Sequence, residues 1–95
     1  MKVKIEFSGG IELMFDNKKN LEVELQGEKP TLQDLIEELR TNHLKDKEEM
    51  FIQKGTVRPG IIVLINDTDW ELMDTVDYKV CDNDSFAFIS TLHGG

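Results

Sequence analysis

One stretch of this chain carries apolar residues at the spacing of a full helical stripe, and it constrains everything else. Leu32, Leu35, Ile36 and Leu39 fall at i, i+3, i+4 and i+7, on one side of a helix. Gln33, Glu37, Glu38 and Arg40 lie between them and face water. Thr31 precedes the stripe as an N-cap. Asp34 stands where the acid of a capping box belongs, one carbon shorter than usual. The pattern predicts a helix that begins after Thr31 and fades near Asn42-His43. A second long helix has no place, because Asp74 to Asn83 is too polar for one. The rest of the core must come from strands packed on that single stripe.

The strands are legible as alternation. Val3, Ile5 and Phe7 alternate with Lys2, Lys4 and Glu6, which makes a strand with one buried face, ended by Ser8-Gly9-Gly10. Ile11 to Phe15 is apolar but too short to type. Leu21, Val23 and Leu25 alternate with Glu22 and Glu24, a second strand that pairs antiparallel with the first. Asp46 to Phe51 is expected to add a helical turn. After Arg58-Pro59-Gly60, the run Ile61 to Ile65 is apolar on both faces, which predicts an inner strand or one covered by the helix. Asn66 to Asp69 reads as a tight turn, Trp70-Glu71-Leu72 as a short returning strand, and Tyr78 to Asp84 as turn-rich. Ser85 to Ser90 is the last strand, with Phe86 and Phe88 on one face. The order predicts an α+β fold: a β-grasp, the ubiquitin-like roll, a mixed sheet with one main helix across one face. Its first and last strands should lie adjacent and parallel in the middle. A ferredoxin-like fold fits less well, for want of a second helix.

Composition narrows the function. Ninety-five residues make one domain, and the formal net charge is −8. A chain of this size buries roughly 60–65% of the surface it exposes when unfolded, leaving little room for a deep catalytic cavity. The acidic surface repels phosphate backbones and anionic lipid, so neither direct nucleic-acid binding nor membrane association is expected. The longest apolar run, Ile61 to Ile65, is far short of the ~20 residues that span a bilayer. The positive start has no apolar stretch behind it, so export by a signal peptide is not expected. A single cysteine, Cys81, fits a reducing compartment, and with His43 and His93 it makes no metal-ligand set.

The chemistry then points to the end of the chain, Leu92-His93-Gly94-Gly95. A terminal Gly-Gly arises by chance about once in 200 chains. Glycines without Cβ atoms can thread a narrow slot, and four extended residues reach ~13 Å, enough to carry the Gly95 carboxylate into another protein's active site. The expected organisation is a β-grasp domain over residues 1–91 and a flexible reactive tail over residues 92–95. Elsewhere the plainer reading is preferred. Cys81 sits among Asp82 and Asp84, the wrong neighbourhood for a reactive thiol, and is taken as structural. Trp70 is a core or hairpin anchor, and His43 ends the helix. Asp67 and Asp69 are turn residues, and Arg58 pairs with an acid or meets a partner. Asn66-Asp67-Thr68 matches a glycosylation acceptor but is idle without export.

The segments Arg58 to Leu72 and Ser90 to Gly95, with Val3 to Gly10, resemble the eukaryotic ubiquitin-related modifier family. The resemblance implies a sulfur carrier and protein modifier rather than an enzyme. It implies no bound cofactor. An activating enzyme with adenylation and rhodanese-type sulfurtransferase sites uses ATP and magnesium to adenylate Gly95 and convert it to a thiocarboxylate. Sulfur then passes through a thiolase complex to the wobble uridine of tRNA, and the same activated end joins to lysines of target proteins. Gly95 is the reacting residue. Only Gly95, with Gly94 before it, is carried over from the family; Gly94, His93 and Leu92 are expected, from their place in the tail, to be what partners recognise. The cytoplasm is the expected location, with the nucleus second. The alternatives are the small subunit of molybdopterin synthase or a thiamine-type sulfur carrier, which share the fold and tail, and a ubiquitin-like docking module that never reacts.

Overall fold

A computed structural model describes residues 1–91. The helix begins where the sequence places it. The Asp34 backbone N–H donates to Thr31 Oγ1 (3.4 Å) and the Thr31 N–H donates to Asp34 Oδ2 (2.8 Å), a complete capping box. Helix α1 runs Leu32–Glu38 and continues as a wider turn over Leu39–His43, closed by the Leu44 N–H on the Leu39 carbonyl. Leu32, Leu35, Ile36 and Leu39 are wholly buried.

The described residues form seven strands: β1 Lys2–Ser8, β2 Asn20–Glu24, β3 Ile52–Gln53, β4 Thr56–Val57, β5 Ile61–Ile65, β6 Thr68–Asp69 and β7 Ser85–Ser90. Five form one sheet in the order β2-β1-β7-β5-β6. β1 and β7 are parallel at its centre, with Ile5 beside Phe86 and Phe7 beside Phe88, and the other pairs are antiparallel. This is the β-grasp arrangement expected. Alternation sends Val3, Ile5, Phe7, Val23, Val63, Ile65, Phe86 and Phe88 to the helix side, where all are buried. Four phenylalanines fill the end of the core. Phe7 stacks on Phe15 at 4.1 Å, and Phe51 meets Phe15 and Phe88 edge to face at 5.2 and 5.6 Å.

Three readings are corrected or completed. The returning strand is Thr68–Asp69, and Trp70–Leu72 is instead a 3₁₀ turn capped by Asp69, whose Oδ1 accepts from the Glu71 N–H at 2.9 Å. The turn is shorter than expected because Asn66 and Asp67 both take positive φ, +49° and +70°, which closes a two-residue hairpin. The Ile61–Ile65 strand is an inner strand, as expected, between β7 and β6, and it is covered on one face: Ile61, Val63 and Ile65 are buried, whereas Ile62 is 41% exposed. Two segments left open now have a form: Ile11–Phe15 is a 3₁₀ helix, and β3–β4 is a small separate hairpin that follows the buried Phe51. The expected helical turn before it is a 3₁₀ turn over Glu48–Met50.

Candidate functional site

The site is built on the two ends of β7. At its start the chain turns through Cys81 to Asp84, and Asp84 is the one buried charged residue among those described, at 7% exposure. Its carboxylate accepts from the Tyr78 hydroxyl (2.6 Å), the Cys81 N–H (2.8 Å) and Asn66 Nδ2 (2.9 Å). Asn66 Oδ1 in turn accepts from the Ser85 N–H at 2.9 Å. A buried carboxylate survives in this way, with its oxygens satisfied by donors. Burial first, and then the bond to Asp84, push the Tyr78 phenol above the usual tyrosine range.

At its far end β7 is held by backbone. Gly9, at φ +73°, passes so close that a Cβ there would stand 2.2 Å from the Ser90 carbonyl oxygen. On the other side Thr91 donates twice to the Gly60 carbonyl, from its N–H at 3.1 Å and its Oγ1 at 2.5 Å. Beside this exit is an open hollow of about 260 Å³, lined by Gly9, Gly10, Leu13, Met14, Lys47, Met50 and Ser90. Leu13 on its wall is 67% exposed. On the sheet's open face the register sets Ile62 beside Ile89 and Leu64 beside Ala87, an apolar strip running to the same exit. The four residues expected to react or be recognised, Leu92, His93, Gly94 and Gly95, lie outside the described residues.

The whole of this frame, with the end that follows it, matches one family model, Urm1 (ubiquitin related modifier), over residues 2–95. The chain belongs to the ubiquitin-related modifier family. It is 56% identical to the ubiquitin-related modifier 1 homolog of Dictyostelium discoideum over the full length of both chains. It is 50% identical to the human ubiquitin-related modifier 1, over 100% of this chain and 96% of that one. Its fold is similar to the solution structure of Urm1 from Trypanosoma brucei, with 40% identity, 99% of this chain and 95% of that one covered, and a TM-score of 0.83. As a ubiquitin-related modifier the chain is a sulfur carrier and protein modifier and not an enzyme. The match favours this family over the molybdopterin-synthase and thiamine-type carriers.

The remaining candidates of this modifier fall into place. Cys81 is exposed, not a core residue, and what it gives the fold is its backbone N–H to Asp84. His43 stands at the helix end with Nε2 3.3 Å from Glu38 Oε2. Trp70 packs partly buried against the core. Arg58 reaches Met50 Sδ at 3.0 Å rather than an acid. Asp67 and Asp69 do serve the turn, and Asn66 spends both ends of its amide within the fold. Among the described residues no three His, Cys, Asp or Glu side chains are grouped to hold a metal. Among them, too, no helix is long and apolar enough to cross a membrane. Sequence reasoning missed the Asp84 network and the roles of Gly9 and Gly60. The signal for the last two was present, since each glycine closes a turn against a strand.

Proposed function

We propose that the Gly95 carboxylate is the reactive group and that residues 1–91 act as the body that presents residues 92–95. In this reading the Gly95 carboxylate oxygen attacks the α-phosphorus of ATP on an activating enzyme, and pyrophosphate leaves. A persulfide on a sulfurtransferase domain then attacks the acyl carbon, and AMP leaves. A second thiol attacks the donor-side sulfur of the acyl disulfide, forming a donor disulfide, and Gly95 keeps the outer sulfur as a thiocarboxylate. The sulfur goes on, through a thiolase complex, to the wobble uridine of cytoplasmic tRNA. Attack by a lysine Nζ on the same activated carbonyl gives an isopeptide with a target protein. Leu92, His93 and Gly94 are read by the partners, and ATP and magnesium belong to the activating enzyme.

The observation that carries this reading is the family match running through residue 95. The test is one activation assay with a cognate activating enzyme, MgATP and a sulfur donor, read by intact mass, on wild type, a Gly95 deletion and Cys81→Ser. Wild type and Cys81→Ser should exchange one carboxylate oxygen for sulfur, and the deletion should not, because its end is misplaced by ~3.3 Å. A deletion variant that still gains sulfur, or a Cys81→Ser protein that cannot, would move the chemistry away from the tail. The apolar strip through Ile62 and Leu64 favours, as a second reading, a docking module that binds through its sheet. That module would gain no sulfur in the assay and would keep its function after the tail is removed.

A further inference from the structure

Thr91 makes a pair of contacts that strand pairing alone does not require. Ser90 is the last residue of β7 and pairs with Ile61. One step further, the Thr91 N–H continues the ladder onto the Gly60 carbonyl, and the Thr91 hydroxyl adds a second donor to the same oxygen. Gly60 sits at φ +101°, a conformation that glycine adopts without strain, and the turn before it is closed by the Ile61 N–H on the Arg58 carbonyl. The acceptor is therefore placed by a hydrogen-bonded turn. On the opposite flank Gly9 brings its backbone against Ser90, closer than any side chain would allow. Thr91 is exposed, so its hydroxyl could be satisfied by water, and the bond adds little to stability. What it does fix is direction. Thr91 is β-branched with few side-chain rotamers, and tying both its N–H and its Oγ1 to one oxygen restricts its backbone as well.

We propose that Thr91, locked onto the Gly60 carbonyl, is a positioning residue for the reaction of the C-terminus: it fixes the backbone at residue 91, the point from which the reacting carboxylate must reach a partner's site. The role rests on the carrier reading above. Four residues span at most ~13 Å, so the origin of the tail matters as much as its length. Releasing Thr91 adds a further residue's backbone freedom, which must then be lost when the tail is ordered in a partner.

The experiment compares full-length wild type, Thr91→Val and Thr91→Ser in ATP–pyrophosphate exchange with the activating enzyme. Valine keeps the shape and loses the hydroxyl, whereas serine keeps the hydroxyl. The expected result is a kcat/KM for Thr91→Val lower by about 3- to 10-fold, the size of one net hydrogen bond, with Thr91→Ser restored toward wild type. Tail-deleted versions of all three should compete equally for the enzyme, since the body still docks. Equal kcat/KM for valine and wild type would overturn the proposal, as would a serine variant as slow as valine. A matching loss of affinity in the tail-deleted valine variant would overturn it too, by making Thr91 a docking contact. Amide exchange supplies a check without the enzyme: the Thr91 N–H should be protected in wild type and lose protection in Thr91→Val. A Thr91 amide that exchanges like an unfolded chain in wild type would remove the lock itself. Failure of wild type to be activated at all would overturn the carrier reading, and the positioning role with it, while leaving the protected amide as a property of the strand end.

Discussion

The central strand β7 is fastened differently at its two ends. At Asp84 a carboxylate is sunk below the surface and takes donors from Tyr78 and Cys81 in the turn just before it and from Asn66 in a separate hairpin. At Thr91 the holds are a glycine carbonyl, a glycine with no side chain to interfere, and one exposed hydroxyl. The first arrangement is costly to break, because removing any member leaves buried polar groups without partners. The second is cheap to make and shapes a path rather than a core. The difference separates two demands that the proposed reading makes of this chain: a body that stays folded, and a fixed point from which its end can reach chemistry performed elsewhere.

Substitutions should keep those demands separate, and failure to do so would break the contrast. Asp84→Ala should have the largest effect, a loss of about 2–4 kcal/mol in urea unfolding from three stranded donors, with activation per folded molecule unchanged. An equally large fall in activation at a temperature where the variant is folded would show that the two ends are coupled. Gly9→Ala should cost about 1–3 kcal/mol, since its Cβ meets the Ser90 carbonyl and its φ is positive, and here activation should fall as well as stability. Tyr78→Phe should be mildest, about 1 kcal/mol at neutral pH. Its signature is alkaline. The folded phenol holds its proton beyond the pH, ~10, at which the unfolded chain releases one. The contribution of Tyr78 is therefore fully present below pH ~10 and is lost as pH rises further. The phenylalanine variant lacks that contribution, so the gap between it and wild type should narrow above pH ~10 in urea titrations at several pH values.

Much of the body was legible because it is local or periodic. The Thr31–Asp34 box and the Leu32 to Leu39 stripe are contained within one or two helical turns, and the alternation in Val3 to Phe7 and in Phe86 to Phe88 declares which face is buried. The hairpin β3–β4 was not, because two residues per strand are too few to alternate. The Ile61 to Ile65 run told of apolarity but not of what covers it, and Ile62 is left open. The Asp84 network was invisible for a different reason. An aspartate in a turn-rich stretch looks like a solvated charge, and its partner Asn66 comes from another hairpin, in a position that reads as plain turn. The end of the chain shows the reverse case: Gly94-Gly95 is prominent as sequence, and Gly9 and Gly60, which frame the approach to it, look like ordinary strand breaks.

The parallel pairing of β1 with β7 has a consequence for how the molecule forms. Lys4 lies beside Ser85, so the middle of the sheet joins two strands about 80 residues apart in sequence. Contacts so distant in the chain close large loops, and they are slow to form. During synthesis β1 can pair with β2 early, but its other edge stays open until β7 has left the ribosome. A fragment that stops short of β7 has no centre to its sheet. The fold is thus completed only once β7 is in place, and a chain cut short of Ser85 lacks the central pairing that makes the body stable.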